Sequence, residues 1–266
     1  SDQIGYAPIV KTARDFGLGD VSGIDVPGEK KGIIPDPDWK KKRTKTVWYR
    51  GDTILLSIGQ GFTLVTPIQL AKAYTFLANK GWAYEPHVIS KIEDLQTGKI
   101  EIVSTKKTII EDYPESYYDI INDALIATVD QNNGTTRIMK NPYVKVAAKS
   151  GSAQNPHSKL THAWVAGYFP ADKDPEIVFV CLLEGAGGGG VMAGGMAKRF
   201  LDKYLEVEKG IEIVQKTPHT EPKTTNSTIQ TSGSQENENS GEGIGEEREN
   251  EERETGETNT VEGQQN

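Results

Sequence analysis

The residues best suited to chemistry are four consecutive ones, Lys149, Ser150, Gly151 and Ser152, inside an apolar run that predicts a strand over 143–154. The Lys149 ammonium makes a pocket positive for an anion, and the hydroxyls of Ser150 and Ser152 can hold a carboxylate. Gly151 presents no side chain, so a substrate backbone can come close. Such a strand can pair with an extended peptide, and one of its N–H groups can face a developing oxyanion. The run therefore predicts a substrate-binding strand, against the plainer interpretation of a surface turn.

A nucleophile is harder to find in this chain. A serine activated by a lysine needs the two side chains three residues apart on one helix face, with the hydroxyl in a cleft. One string has that spacing, Ser104-Thr105-Lys106-Lys107. It follows the second strand of a predicted hairpin, where Ser104 and Lys107 would not lie one helical turn apart. We therefore expect Ser104 to occupy a solvated strand end.

The Gly-rich segment from Gly185 to Gly190 offers a different kind of site. It fits the pattern G-x-G-x-x-G, follows an apolar strand and precedes a helix, the context in which a dinucleotide places its phosphates at a helix N-terminus. Four consecutive glycines satisfy almost any glycine pattern, however. The acidic residues that follow, Glu206 and Glu208, fall in or at the end of the helix and not on a second parallel strand. A turn from strand to helix is the alternative interpretation.

No other residues indicate a cofactor. The histidines, at positions 87, 157, 162 and 219, show no metal-ligand spacing, so we expect neither metal nor cofactor. A single cysteine, Cys181, rules out a disulfide framework within the chain. The sequence also has no run of 18 apolar residues that would span a membrane.

Charge divides the 266 residues into two parts. Residues 217–266 hold 12 glutamates against 3 basic residues and have no aromatics, so they cannot bury enough surface to offset the entropy of ordering. We expect a disordered acidic tail there. Residues 1–216 carry 27 basic and 26 acidic residues, which gives no charge argument for a nucleic-acid partner.

The order of the predicted elements indicates an α+β fold, an antiparallel sheet flanked by helices. Thr66, Pro67 and Gln69 predict a capped helix over 67–80. A long ordered loop is expected over 17–50. The other predicted elements are helices at 3–16, about 115–130 and about 194–208, a hairpin at 86–110, and strands at 143–154, 162–169 and 176–184.

Several long segments resemble the elongation-type class B penicillin-binding proteins, in that family's order and over most of residues 1–205. They are DFGLGDVSGIDVPGEKKGIIPDPDWKKKR, WYRGDTILLSIGQGFTLVTPIQLAKAYTFLANKG, EPHVI, AAKSGSAQ and HAWVAGYFP. The resemblance implies a penicillin-binding transpeptidase or serine β-lactamase-like fold, present here as a partial domain over 1–216. Lys149, Ser150, Gly151 and Ser152 match the third of the family's three motifs, Lys-[Ser/Thr]-Gly.

The resemblance also implies an activity, a peptidoglycan D,D-transpeptidase that serves cell-wall synthesis and cell shape. A serine attacks the carbonyl before a terminal D-alanine of a stem peptide, and the acyl group passes to an amine on a neighbouring strand. β-Lactams trap that serine. Lys149 and Ser150 would serve catalysis, and 149–152 would bind the substrate. The family also implies a membrane glycosyltransferase and elongation-complex proteins as partners, and a location on the extracytoplasmic side of the cell membrane.

The chain departs from the family pattern at its start. The S-x-x-K element with the nucleophile, and the Ser-x-Asn or Ser-x-Asp element, would both lie before residue 1. We therefore expect a longer polypeptide with an upstream anchor helix, and we expect the chain alone to be inactive. Two alternatives stay open: a nucleotide-binding module built on Gly185 to Gly190, and a non-catalytic wall-binding module with the acidic tail as a spacer.

Overall fold

A computed structural model describes residues 3–155 and 159–213. The helices are α1 Tyr6–Asp15, α2 Pro37–Thr44, α3 Arg50–Ser57, α4 Pro67–Ala78, α5 Glu115–Asp130, the 3-10 turn Arg137–Met139, and α6 Met192–Lys209. The strands are β1 Trp82–Tyr84, β2 Lys91–Glu93, β3 Ile100–Ile102, β4 Lys107–Ile109, β5 Ala147–Ala153, β6 His162–Phe169 and β7 Ile177–Leu183.

The main sheet is antiparallel, in the order β5-β6-β7. Its central strand β6 is the most buried because helices cover both faces. Leu201 and Leu205 of α6 pack on one face together with Ala148. The other face carries Ala147 and Tyr168, against which α4 and α5 pack. The α+β fold with a flanked antiparallel sheet is confirmed.

Helix α4 begins where the sequence predicts. The Thr66 hydroxyl accepts from the Gln69 N–H at 3.3 Å, and Gln69 Oε1 accepts from the Thr66 N–H at 2.9 Å. Gln69 is fully buried, and its side-chain nitrogen donates to the carbonyls of Asp20 and Lys31 at 2.5 and 2.7 Å. The capping residue therefore also fixes the long segment that precedes the helix.

The loop predicted over 17–50 is wrong in part, because α2 lies inside it and α3 begins at its end. Asp36 caps α2 by accepting from the Trp39 N–H at 2.8 Å, and Pro37 occupies the first turn. Sequence periodicity does not reveal α2, because its eight residues are almost all polar.

Two other predictions differ from the structure at their limits. The hairpin over 86–110 is confirmed as β2 with β3, but β1 pairs with β4 around it and so begins the unit at Trp82. Strand β5 is shorter than 143–154 because pairing with β6 begins only at Ala147.

The predicted disorder of 217–266 lies outside the described residues. Within the described ranges, no helix has the length and apolarity to cross a bilayer.

Candidate active-site strand

The predicted binding run forms the outer strand of the main sheet. Strand β5 pairs with β6 on one side, and among the described residues no strand pairs with its other side. Alternate residues of an antiparallel strand turn their N–H and C=O groups away from the partner. The carbonyls of Ala148, Ser150 and Ser152 lie on the open side, where each accepts from a side chain. Strand β5 therefore has a backbone edge that no described strand covers and that only side chains contact.

Lys149 carries the positive charge of this edge. Its side chain is exposed, and the ammonium donates to the carbonyl of Ser150 at 2.6 Å. A neutral carbonyl partner leaves the charge of the ammonium uncompensated, so the ammonium can attract a carboxylate. The charge that the sequence predicts for this pocket therefore lies on the open edge.

The side chains of the two serines lie on the opposite face of β5 from Lys149, beside the Gly-rich segment. Ser152 Oγ accepts from the Gly189 N–H at 3.2 Å, which leaves the hydroxyl proton free to donate to an anion. Ser150 is half-buried, and a β-carbon added to Gly190 would lie 3.7 Å from its hydroxyl oxygen. Both hydroxyls thus lie beside the backbone of 188–190, where that segment passes close to β5.

Gly151 lies between Ser150 and Ser152 in the sequence, and its Cα faces the same side of β5 as Lys149. An added β-carbon would meet only the Trp164 β-carbon, at 3.6 Å, which is ordinary contact. The packing of the chain itself therefore does not require glycine at this position. The space is open to a ligand, as the sequence predicts, while the roles of 149–152 in binding and catalysis stay predictions.

Gln60 is a residue near this edge that the sequence analysis missed. It lies after α3, between Gly59 and Gly61, and its side-chain nitrogen donates to the Ser152 carbonyl at 3.2 Å. The two residues are 92 positions apart, so no local spacing could connect them. The sequence predicts only a backbone turn here.

The Gly-rich segment from Gly185 to Gly190 is a turn that binds to the sheet. The Gly187 N–H donates to the Thr161 carbonyl at 3.0 Å, and the Thr161 hydroxyl donates back to the Gly187 carbonyl at 2.8 Å. Strand β7, which precedes the segment, is antiparallel to β6. A dinucleotide site needs a parallel unit. The structure therefore contradicts the nucleotide-binding interpretation.

The other residues considered lie away from this edge. Ser104 is exposed and lies between β3 and β4, not on a helix, in agreement with its predicted place at a strand end. His162 accepts from the Gly185 N–H through Nδ1 at 3.2 Å, which is a structural role. In the part of the chain that the structure describes, no three His, Cys, Asp or Glu side chains are grouped as metal ligands.

Comparison with known proteins defines the class to which this arrangement belongs. Residues 1–206 match the penicillin binding protein transpeptidase domain. The chain therefore belongs to the penicillin-binding protein transpeptidase family, and the fold predicted from its motifs is confirmed.

The relatives then define the subgroup, the elongation-type class B penicillin-binding proteins. The peptidoglycan D,D-transpeptidase MrdA of Haemophilus influenzae is 35% identical over an alignment of 231 residues, which covers 76% of this chain and 34% of that protein. The chain spans about a third of the length of the curated relatives that it matches.

Solved structures of penicillin-binding protein 2 share the fold. The protein from Helicobacter pylori in complex with MreC is 26% identical with a TM-score of 0.67, over 78% of this chain and 37% of that one. The Pseudomonas aeruginosa protein in complex with WCK 5153 is 29% identical with a TM-score of 0.65, over 80% of this chain and 45% of that one.

Proposed function

We propose that this chain is the C-terminal part of a peptidoglycan D,D-transpeptidase domain and supplies its substrate-binding strand. The observation that carries the proposal is the edge of β5 that no described strand covers, with the Lys149 ammonium at that edge and the Ser150 and Ser152 hydroxyls on the adjoining face of the strand. This set of groups suits an extended peptide that ends in a carboxylate.

In the proposed reaction the D-Ala-D-Ala end of a stem peptide lies along β5 with its carboxylate near Ser150 and Ser152. Lys149 makes this end of the cleft positive. The N–H of Ser152, on the open side of β5, stabilises the oxyanion that forms when a serine attacks the penultimate carbonyl. The terminal D-alanine leaves, and an amine of a neighbouring strand then accepts the acyl group. β-Lactams react with the same serine.

In the described part of the chain, no helix carries a serine with a lysine three residues later. Ser104 has that spacing to Lys107, but it lies between β3 and β4. We therefore propose that the serine and its lysine come from sequence that precedes residue 1 in a longer polypeptide. By the same family relationship, that polypeptide would be anchored in the cell membrane, face outward, and associate with a glycosyltransferase and elongation-complex proteins.

Labelling with fluorescent penicillin tests the proposal. We expect a covalent adduct on the polypeptide expressed with its upstream sequence, and none on the 266-residue chain alone. An adduct on the chain alone would show that its own serine reacts. No adduct on the longer polypeptide, combined with binding to purified peptidoglycan, would favour a non-catalytic wall-binding module.

Substitution of Lys149 tests its proposed role in ligand binding. We expect Lys149→Ala in the longer polypeptide to slow acylation by about 10- to 100-fold, because a charge-assisted hydrogen bond to the ligand is worth about 1.5–3 kcal/mol. Lys99→Ala, in the exposed turn between β2 and β3, is the matched control and leaves the rate unchanged. An unchanged rate in Lys149→Ala would contradict the assigned role.

A further inference from the structure

The open edge of β5 is partly occupied by a side chain of the protein itself. Gln60 Nε2 lies 3.2 Å from the Ser152 carbonyl oxygen. In a sheet the nitrogen of a neighbouring strand lies about 2.9–3.0 Å from such an oxygen. The Gln60 amide therefore takes the place of an N–H from an added strand.

The backbone of Gln60 is held while its side chain can turn. The Gln60 N–H donates to the Leu55 carbonyl at 2.9 Å, and the Gly59 N–H donates to the Leu56 carbonyl at 3.0 Å. Both flanking glycines have positive φ, 70° at Gly59 and 72° at Gly61, which fixes a tight turn. Release of Ser152 needs only a rotamer change of one half-buried side chain.

We propose that Gln60 is a gate on the peptide-binding edge: its amide caps the Ser152 carbonyl in the free protein and yields to the backbone N–H of an extended ligand. This inference rests on the proposed transpeptidase function. It makes Gln60 a positioning residue that acts through Ser152, not a catalytic residue. A ligand with a secondary amide next to β5 must displace the Gln60 amide, whereas a ligand without that amide need not.

Two β-lactams distinguish these cases. Benzylpenicillin carries a secondary amide on its bicyclic nucleus, and penicillanic acid has the same nucleus and carboxylate without the amide. The longer polypeptide and its Gln60→Ala variant would be acylated by each compound, with rates followed by intact-protein mass. We expect Gln60→Ala to raise the benzylpenicillin rate about threefold to tenfold, the contribution of one intramolecular hydrogen bond. The penicillanic acid rate should change by less than about twofold.

Gln60→Asn keeps the amide but is one methylene too short to reach Ser152, so it should behave as Gln60→Ala does. Gln96→Ala, in the exposed turn after β2, is the matched control and leaves both rates unchanged. The gate is overturned, and the proposed function is not, if Gln60→Ala lowers the benzylpenicillin rate or leaves it unchanged. The same holds if Gln60→Ala changes the rates of both compounds by the same factor. If the unmutated polypeptide reacts with neither compound, the proposed function fails and the gate fails with it.

Discussion

At the scale of single residues, two glycines near the edge of β5 have very different surroundings. A β-carbon on Gly189 would lie 2.6 Å from the Trp164 carbonyl oxygen, a distance that no packed carbon tolerates. A β-carbon on Gly151 would meet only the Trp164 β-carbon, at 3.6 Å. Gly189 is therefore needed for folding, whereas the packing of the chain leaves the space beside Gly151 open, as the proposed approach of a ligand backbone requires.

Alanine at each position tests this difference. We expect Gly151→Ala to keep the melting temperature within about 2 °C, because a methyl group fits there. Such a shift corresponds to a change of less than about 1 kcal/mol in the free energy of unfolding. Acylation by penicillin in the longer polypeptide should slow about 10- to 100-fold, because the methyl group displaces the ligand backbone. Gly189→Ala should lower the melting temperature. Normal acylation of Gly151→Ala would show that no ligand backbone comes close.

At the scale of elements, one ion pair joins α2 to α3. The Lys40 ammonium lies 2.6 Å from Asp52 Oδ2, and the two side chains are only 7% and 13% exposed. The Tyr49 N–H donates to the same oxygen at 2.6 Å. Burial opposes ionisation of Asp52, but these hydrogen bonds outweigh burial and hold the pKa of Asp52 below its ordinary value. The pair therefore stabilises the fold at neutral pH.

The stability of Asp52→Asn should reveal this contribution. Removing one partner of a buried pair leaves the other charge unpaired, so we expect a loss of about 3 kcal/mol in the free energy of unfolding at pH 7. The contribution of Asp52 is complete above its unfolded pKa of about 3.9 and is lost as pH falls through the lower folded pKa. The difference between wild type and variant should therefore narrow toward pH 3 in urea denaturation.

Glu206→Gln is the control for this ion pair. The Lys203 and Glu206 side chains are 67% and 55% exposed, so their pair at 3.2 Å should contribute less than about 1 kcal/mol. Equal losses in the two variants, or a gap for Asp52→Asn that does not depend on pH, would contradict the account of Asp52.

Helices α4 and α2 show which parts of the fold can be predicted from the sequence and which cannot. Helix α4 and strands β5 to β7 are predictable, because local capping and apolar runs determine them. Helix α2 is not, because its stability comes from the Asp36 cap and from Lys40, which is buried against a residue 12 positions away. The contact of Gln60 with Ser152 is likewise invisible in the sequence, because only the fold brings them together.

At the scale of the whole molecule, α5 exposes an apolar face. Tyr117, Ile120 and Ile121 are 57%, 64% and 43% exposed, and they border a groove of about 640 Å³ with Phe16 and Leu77. We expect the chain alone to bind a hydrophobic dye there, since contiguous apolar patches of this kind are rare on soluble monomers.

Ile120→Lys should weaken the dye fluorescence of the chain, because it places a charge inside the patch. Ile102→Lys, at a 79% exposed position on the β2–β3 hairpin, should leave the fluorescence unchanged. Equal fluorescence from all three proteins would show that the groove is not the dye site.

The proposed function depends on the binding of the substrate's carboxylate end by β5. A crystal structure of the longer polypeptide acylated by benzylpenicillin measures this directly. We expect the carboxylate of the adduct to lie within hydrogen-bond distance of the Ser150 or Ser152 hydroxyl, near Lys149, with the adduct extended along β5. An adduct whose carboxylate lies away from residues 149–152 would contradict it.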